Sequence, residues 1–156
     1  MAADSSGIMR TTIDTELRNI AGQVAAALEG GENLLLSGPL GAGKTTFVQG
    51  LAAGLGISSA IKSPTFTYLR EYEIPQRSTR LAHYDLYRLP ESPDPADLLA
   101  IELPDRVADP DVITAIEWAE RLPKRPDRHH VIELSIEADG SHAVYLPDAL
   151  YRRVAK

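Results

Sequence analysis

Chemistry enters this sequence at Gly38, Gly43, Lys44 and Thr45, which satisfy the spacing G-x-x-x-x-G-K-[ST] inside the run NLLLSGPLGAGKTTF, residues 33–47. Each residue type has a reason. Gly38, Gly41 and Gly43 lack a Cβ, so the turn can take positive φ and bring backbone N–H groups onto an anion. A helix beginning at Lys44 adds unpaired N–H groups and a partial positive charge at the same place. Lys44 then reaches β- and γ-phosphates, and the Thr45 hydroxyl can ligate Mg²⁺. Pro39, Leu40, Ala42 and Thr46 fill out the expected phosphate cradle. The stretch implies a nucleoside-triphosphate site.

Such a loop needs an acid at the end of a neighbouring strand to hold the cation, directly or through water. Asp85 follows the apolar run LAHY, and Glu117 follows VITAI. We assign Asp85 to the metal shell. Glu117 is assigned to the attacking water or to a water ligand of the cation. Thr65, in the turn Ser63-Pro64-Thr65, carries a hydroxyl of the kind that contacts Mg²⁺ or a γ-phosphate in switch-type nucleotide proteins. His83 lies on the same strand face as Asp85, with a structural role as its default. Trp118 should point away from Glu117, into the core. Arg121, Lys124, Arg125 and Arg128 form a basic loop, read as a solvated face rather than a phosphate lid.

Alternating strands and helices must position these residues. A tail over residues 1–10 and a short edge strand at Thr11–Ile13 precede a helix from Asp14 to about Glu29, closed by Gly30-Gly31. The apolar run 34–37 is the strand feeding the loop. The helix from Lys44 to about Leu55 buries Phe47, Val48, Leu51, Ala52 and Leu55, with Gly50 and Gly54 allowing close packing on the sheet. Phe66, Tyr68 and Tyr72 have strand spacing, residues 75–78 a hairpin tip, and residues 81–84 the return strand. Asp94-Pro95 begins the first of two short helices around Pro104. Residues 111–116 read as a buried parallel strand. Asp139-Gly140 marks a two-residue hairpin turn between residues 130–136 and 143–146, before a short terminal helix. The fold class is α/β: one domain over residues 11–156, a mainly parallel sheet flanked by helices, with an antiparallel edge hairpin.

The 156 residues carry a net charge of −6 and no cysteine. The charge argues against a general electrostatic nucleic-acid binder, and the lack of cysteine excludes disulfides and thiolate metal sites. No run approaches a membrane span, and MAADSSGIMR lacks the apolar core of a signal peptide, so a cytoplasmic location without membrane contact is expected.

The ordered set GPLGAGKTTF, SPTFTY, HYDLYRL and AIEWAERLP resembles the TsaE (YjeE) family, over about residues 11–146. The resemblance implies a P-loop ATPase of bacterial tRNA threonylcarbamoyladenosine synthesis, with ATP and Mg²⁺ as cofactors. Lys44 and Thr45 would bind phosphate and Mg²⁺, Thr65 would sit in a switch-like loop, Asp85 would belong to the metal site and Glu117 would serve hydrolysis. Implied partners are the TsaB–TsaD pair, which transfers a threonylcarbamoyl group to tRNA, with tRNA met through that complex. The ATPase cycle would reset the pair between turnovers. Two segments depart from the family habit, Ala100-Ile101-Glu102 and Ser141-His142, and both are expected to lie away from the phosphate residues. The alternative function is a P-loop small-molecule kinase. A guanine-specific switch lacks its Asn-Lys-x-Asp base-reading motif here.

Overall fold

Leucine-rich and β-branched runs pair as the spine of this protein, in a computed structural model that describes residues 2–3, 7–11 and 14–154. The strands are β1 (Ala2–Ala3), β2 (Ile8–Thr11), β3 (Asn33–Ser37), β4 (Leu69–Glu73), β5 (Arg80–Asp85), β6 (Val112–Glu117), β7 (His129–Ile136) and β8 (His142–Tyr145). They form one sheet in the order β1-β2-β8-β7-β3-β6-β5-β4. The central four, β7, β3, β6 and β5, run parallel, and the remaining pairings are antiparallel. Parallel strands buried on both faces need continuous apolar sequence. β6 meets that need, with every residue buried.

Side-chain alternation divides the core between the two faces. Leu34, Leu36, Ile113 and Ala115 pack with α1 (Asp14–Ala27), α2 (Lys44–Gly54) and Leu150 of α5 (Asp148–Val154). Leu35, Tyr84, Val112 and Ile116 face the other way, under Leu103 and the half-buried Leu98 and Val107 of α3 (Pro95–Ala100) and α4 (Leu103–Ala108). Each such leucine, isoleucine or phenylalanine contributes about 1.5–3 kcal/mol by leaving water. Asp94 caps α3 in a reciprocal capping box with Asp97, and Pro95 occupies the first turn as expected.

Several expectations shift in detail. The edge strand expected at Thr11–Ile13 ends at Thr11 and begins at Ile8, inside the expected tail, because its backbone completes the free edge of β8; residues 12–13 lie outside the described residues. Phe66 and Tyr68 are not in a strand. Tyr68 has φ 63°, its N–H bonds to Pro64 O at 2.7 Å, and β4 starts only at Leu69. Pro104 lies in the first turn of α4, not between the two short helices. Gly50 and Gly54 face α1, not the sheet: a Cβ on Gly50 would stand 2.5 Å from Arg18 O, and one on Gly54 2.8 Å from Gly22 Cα. The β7–β8 turn is wider than two residues, with Glu137 N–H bonding to Ser141 O at 2.8 Å and Gly140 at φ 84°. No helix among the described residues is long and apolar enough to cross a membrane.

Candidate nucleotide and metal site

The sheet brings the chemistry-bearing residues to the carboxyl ends of its parallel strands, where open α/β sheets bind ligands. β3 ends at Ser37 and the chain turns through residues 38–43 into α2. Gly38 (φ 149°), Gly41 (φ 81°) and Gly43 (φ 105°) all take positive φ. A Cβ on Gly38 would lie 2.3 Å from the backbone oxygen of Leu134, so there both conformation and space demand glycine; at Gly43 the positive φ does, with a Cβ also 2.5 Å from Leu17 Cδ2. Ala42 is buried and its N–H bonds to Pro39 O at 3.1 Å, which closes the turn. Leu40 projects outward, 80% exposed.

A cleft of about 550 Å³ opens over this loop, lined among others by Gly41, Gly43, Lys44, Thr45, Thr46, Thr65, Asp85 and Glu117. Lys44 is buried, and its ammonium donates to Gly38 O and, at 3.2 Å, to Pro39 O. Burial pulls its pKa below the ordinary lysine value, against the opposing charges of Glu120, Glu117 and Asp85. Asp85 and Glu117 stand directly opposite each other at the ends of adjacent parallel strands β5 and β6. Each is held by hydroxyls. Thr45 Oγ1 donates to Glu117 Oε1 at 2.9 Å. Thr65 Oγ1 donates to Asp85 Oδ2 at 3.0 Å, Ser63 Oγ donates to the same oxygen, and Tyr87 N–H reaches Asp85 Oδ1 at 3.0 Å. Every residue named from the sequence for phosphate or cation thus lies in or beside one cleft.

The donor set suits a magnesium–phosphate group. Mg²⁺ favours one or two carboxylates and a hydroxyl beside substrate phosphates over an all-protein cage. Here there are two carboxylates and Thr45, and no group of three or more His, Cys, Asp or Glu placed to hold a metal occurs among the described residues. The positive-φ loop presents main-chain groups and the start of an eleven-residue helix to the same cleft.

Five residues not assigned to phosphate or cation from the sequence also line the cleft, Asp14, Ser63, Tyr87, Trp118 and His142, and the reading of His142 is corrected. Trp118, expected to pack into the core, does pack against the Leu35–Ile116 cluster, and with its backbone at φ 58° its ring also covers Lys44 Nζ, 3.9 Å from the ring centroid. Tyr87 packs on that ring, centroids 5.0 Å apart. His142, in a segment expected to lie away from the phosphate residues, lines the cleft and bonds Ala42 O through Nδ1 at 2.9 Å. Ser63 shares Asp85 with Thr65, which its position two residues earlier signals. The basic loop contributes no lining residue. Arg121 reaches toward Leu89 O, and Arg128 lies against Gly31 at the other end of the strands.

The family model described as "Threonylcarbamoyl adenosine biosynthesis protein TsaE" matches residues 11–144. Curated relatives named "tRNA threonylcarbamoyladenosine biosynthesis protein TsaE" include one from Nostoc, 40% identical with 79% of this chain and 74% of the relative covered. A relative of the same name from Treponema pallidum is 42% identical, covering 78% of this chain and 85% of the relative. The fold superposes on a crystal structure of Bacillus subtilis YdiB with TM-score 0.73 and 28% identity, covering 95% of this chain and 93% of that one. The match along most of the chain, together with the P-loop architecture that carries it, places this protein in the TsaE family of tRNA threonylcarbamoyladenosine biosynthesis proteins.

Proposed function

We propose that this protein binds and slowly hydrolyses ATP with Mg²⁺, and that this cycle acts on the TsaB–TsaD pair between rounds of tRNA modification. The observation that carries the reading is the convergence of Asp85 and Glu117, far apart in sequence, on the loop that holds Lys44 and Thr45. Bound Mg²⁺ would supply charge neutralisation of the triphosphate, and Thr45, Asp85 and Glu117 would hold it. Lys44 binds the terminal phosphates by leaving the carbonyls of Gly38 and Pro39, which it contacts here. Glu117 orients the attacking water through a carboxylate oxygen. Asp85 accepts from the hydroxyls of Ser63 and Thr65, so it would couple that loop to a bound cation, and loss of the γ-phosphate would loosen the loop. Trp118 covers Lys44 and limits water around it.

The switch reading is supported by what surrounds the cleft. Leu40 and Phe66, each at least 80% exposed, and the half-exposed Tyr87 extend from the phosphate loop, the Thr65 loop and the Asp85 strand end. Large apolar side chains on three segments that meet the nucleotide suit a protein partner better than solvent. No arginine lines the cleft among the described residues, which fits slow turnover alone and gives the small-molecule kinase alternative no lid. The test is ATP hydrolysis and tRNA modification with purified TsaB and TsaD. ATP-dependent stimulation, lost in Lys44→Ala and Asp85→Ala, supports the reading. Modification at full rate with both variants overturns it.

A further inference from the structure

We infer that His83 is a positioning residue for Glu117: its Nε2–H fixes the carboxylate so that one oxygen faces the cleft. This rests on the ATPase reading above. His83 is fully buried, and its Nε2 lies 2.6 Å from Glu117 Oε2. Its other ring nitrogen, Nδ1, is buried and has no hydrogen-bond partner among the described residues. The ring therefore makes one polar contact, and makes it to Glu117. An imidazole that only filled space would cost desolvation that a leucine would not, so packing alone does not account for it.

The geometry around Glu117 shows what the contact does. β5 and β6 pair with His83 opposite Ala115 and Asp85 opposite Glu117, so His83 sits one diagonal step behind Glu117 on the same face. Glu117 is 3% exposed. Oε2 is held from behind by His83, and Oε1 is held from the cleft side by Thr45 Oγ1 at 2.9 Å. The two contacts differ in permanence. The Thr45 hydroxyl is the group expected to turn toward the cation, which frees Oε1 to accept from water. The His83 contact lies outside the cleft lining and persists through that exchange. Without it Oε2 would be a buried carboxylate oxygen with no donor, and the carboxylate would rotate to find one. His83 thus carries the orientation of Glu117 through the step in which Thr45 lets go.

Three substitutions separate this role from a structural one. His83→Leu removes the donor and keeps an apolar filling. His83→Gln returns an amide N–H near the Nε2 position, and His83→Asn places its amide nearer Nδ1, short of Glu117. Measured are ATP turnover at saturation, ATP affinity by calorimetry, the thermal midpoint, and, without nucleotide, the ¹⁵N–¹H signal of the His83 ring. The expected result is a fall in kcat of about 10- to 100-fold for Leu and Asn, most of it recovered in Gln, with ATP affinity within about threefold throughout. The ring signal should move on Glu117→Ala. Wild-type kcat in His83→Leu, or losses in Leu and Gln that follow the thermal midpoint alike, would overturn the inference. If the wild type with its partners hydrolyses no ATP, the ATPase reading fails; a ring signal that ignores Glu117→Ala then refutes the His83 contact separately.

Discussion

The two ends of the parallel strands hold similar inventories of buried polar groups and treat them oppositely. At the amino end, Glu32 accepts from Glu29 N–H, from both terminal nitrogens of Arg153 and from His130 Nε2. Asn33 beside it donates to Val107 O and Asp127 O and accepts from Thr114 Oγ1 at 2.7 Å. These groups satisfy one another, and the network clamps α5, the α1–β3 turn and β7 together. At the carboxyl end, Lys44 rests on loop carbonyls, Thr45 on Glu117, and Ser63 and Thr65 on Asp85. Those partners are neutral or shared, and a triphosphate and its cation could replace most of them. One end spends its polar groups on holding the fold. The other keeps them in contacts that a ligand can exchange.

That contrast can be broken from either side. Lys44→Ala should lower ATP hydrolysis by roughly 100- to 1,000-fold, the scale of losing one positioned electrostatic contact to the transition state. The thermal midpoint of the nucleotide-free protein should hardly move, since no carboxylate loses a direct partner. Glu117→Gln should retain ATP binding by calorimetry and reduce turnover by about 100-fold. At the amino end the pattern inverts. Arg153→Ala should cost about 2–3 kcal/mol in denaturant unfolding, because it strips a buried carboxylate of its cation, while turnover of the folded protein is unchanged.

Acid sharpens the same comparison. Burial raises the Glu32 carboxyl pKa, but the hydrogen bonds from Arg153, Glu29 N–H and His130 outweigh it and bring the value to about 2, below the ordinary 4.5. A depressed folded value means stability that is complete above the ordinary carboxylate range and is lost as pH falls toward about 2. Glu32→Gln should therefore flatten the acid limb of the unfolding free energy below about pH 4.5, measured by denaturant titration. The smallest effect expected on the isolated protein is that of Phe66→Ala: its ring is 82% exposed, so stability should stay within about 0.5 kcal/mol. Stimulation by TsaB–TsaD should fall.

The placement of the glycine loop at residues 38–43 and of both acids at one end of the sheet was readable from the sequence because each sits where a regular pattern ends: glycine spacing for the loop, apolar runs closed by Asp85 and Glu117 for the strands. What escaped was decided by local departures from a period. Trp118 and Tyr68, non-glycine residues at φ 58° and 63°, leave the extended backbone that strand periodicity assumes. Trp118 thereby becomes a wall of the site and Phe66 leaves the sheet. His142 reaches the loop only because the β7–β8 hairpin folds back beside Ala42, a long-range register that no local pattern in the sequence encodes. His83 was visible as a strand residue two before Asp85, but its partner lies on another strand, 34 positions away. Gly50 and Gly54 were assigned to the sheet because α2 packs on it, but only the α1–α2 pair comes close enough to need glycine, which helical periodicity alone does not reveal.

The central claim is that the loop grips a triphosphate while Asp85 and Glu117 meet its cation. The most direct measurement is a crystal structure with Mg²⁺ and a non-hydrolysable ATP analogue. The account predicts terminal phosphates cradled by residues 38–45, Lys44 Nζ moved from the Gly38 and Pro39 carbonyls onto phosphate oxygens, and Mg²⁺ beside Thr45 with both carboxylates in its first or second shell. An analogue bound outside the loop, or a cation reached by neither Asp85 nor Glu117, would contradict it.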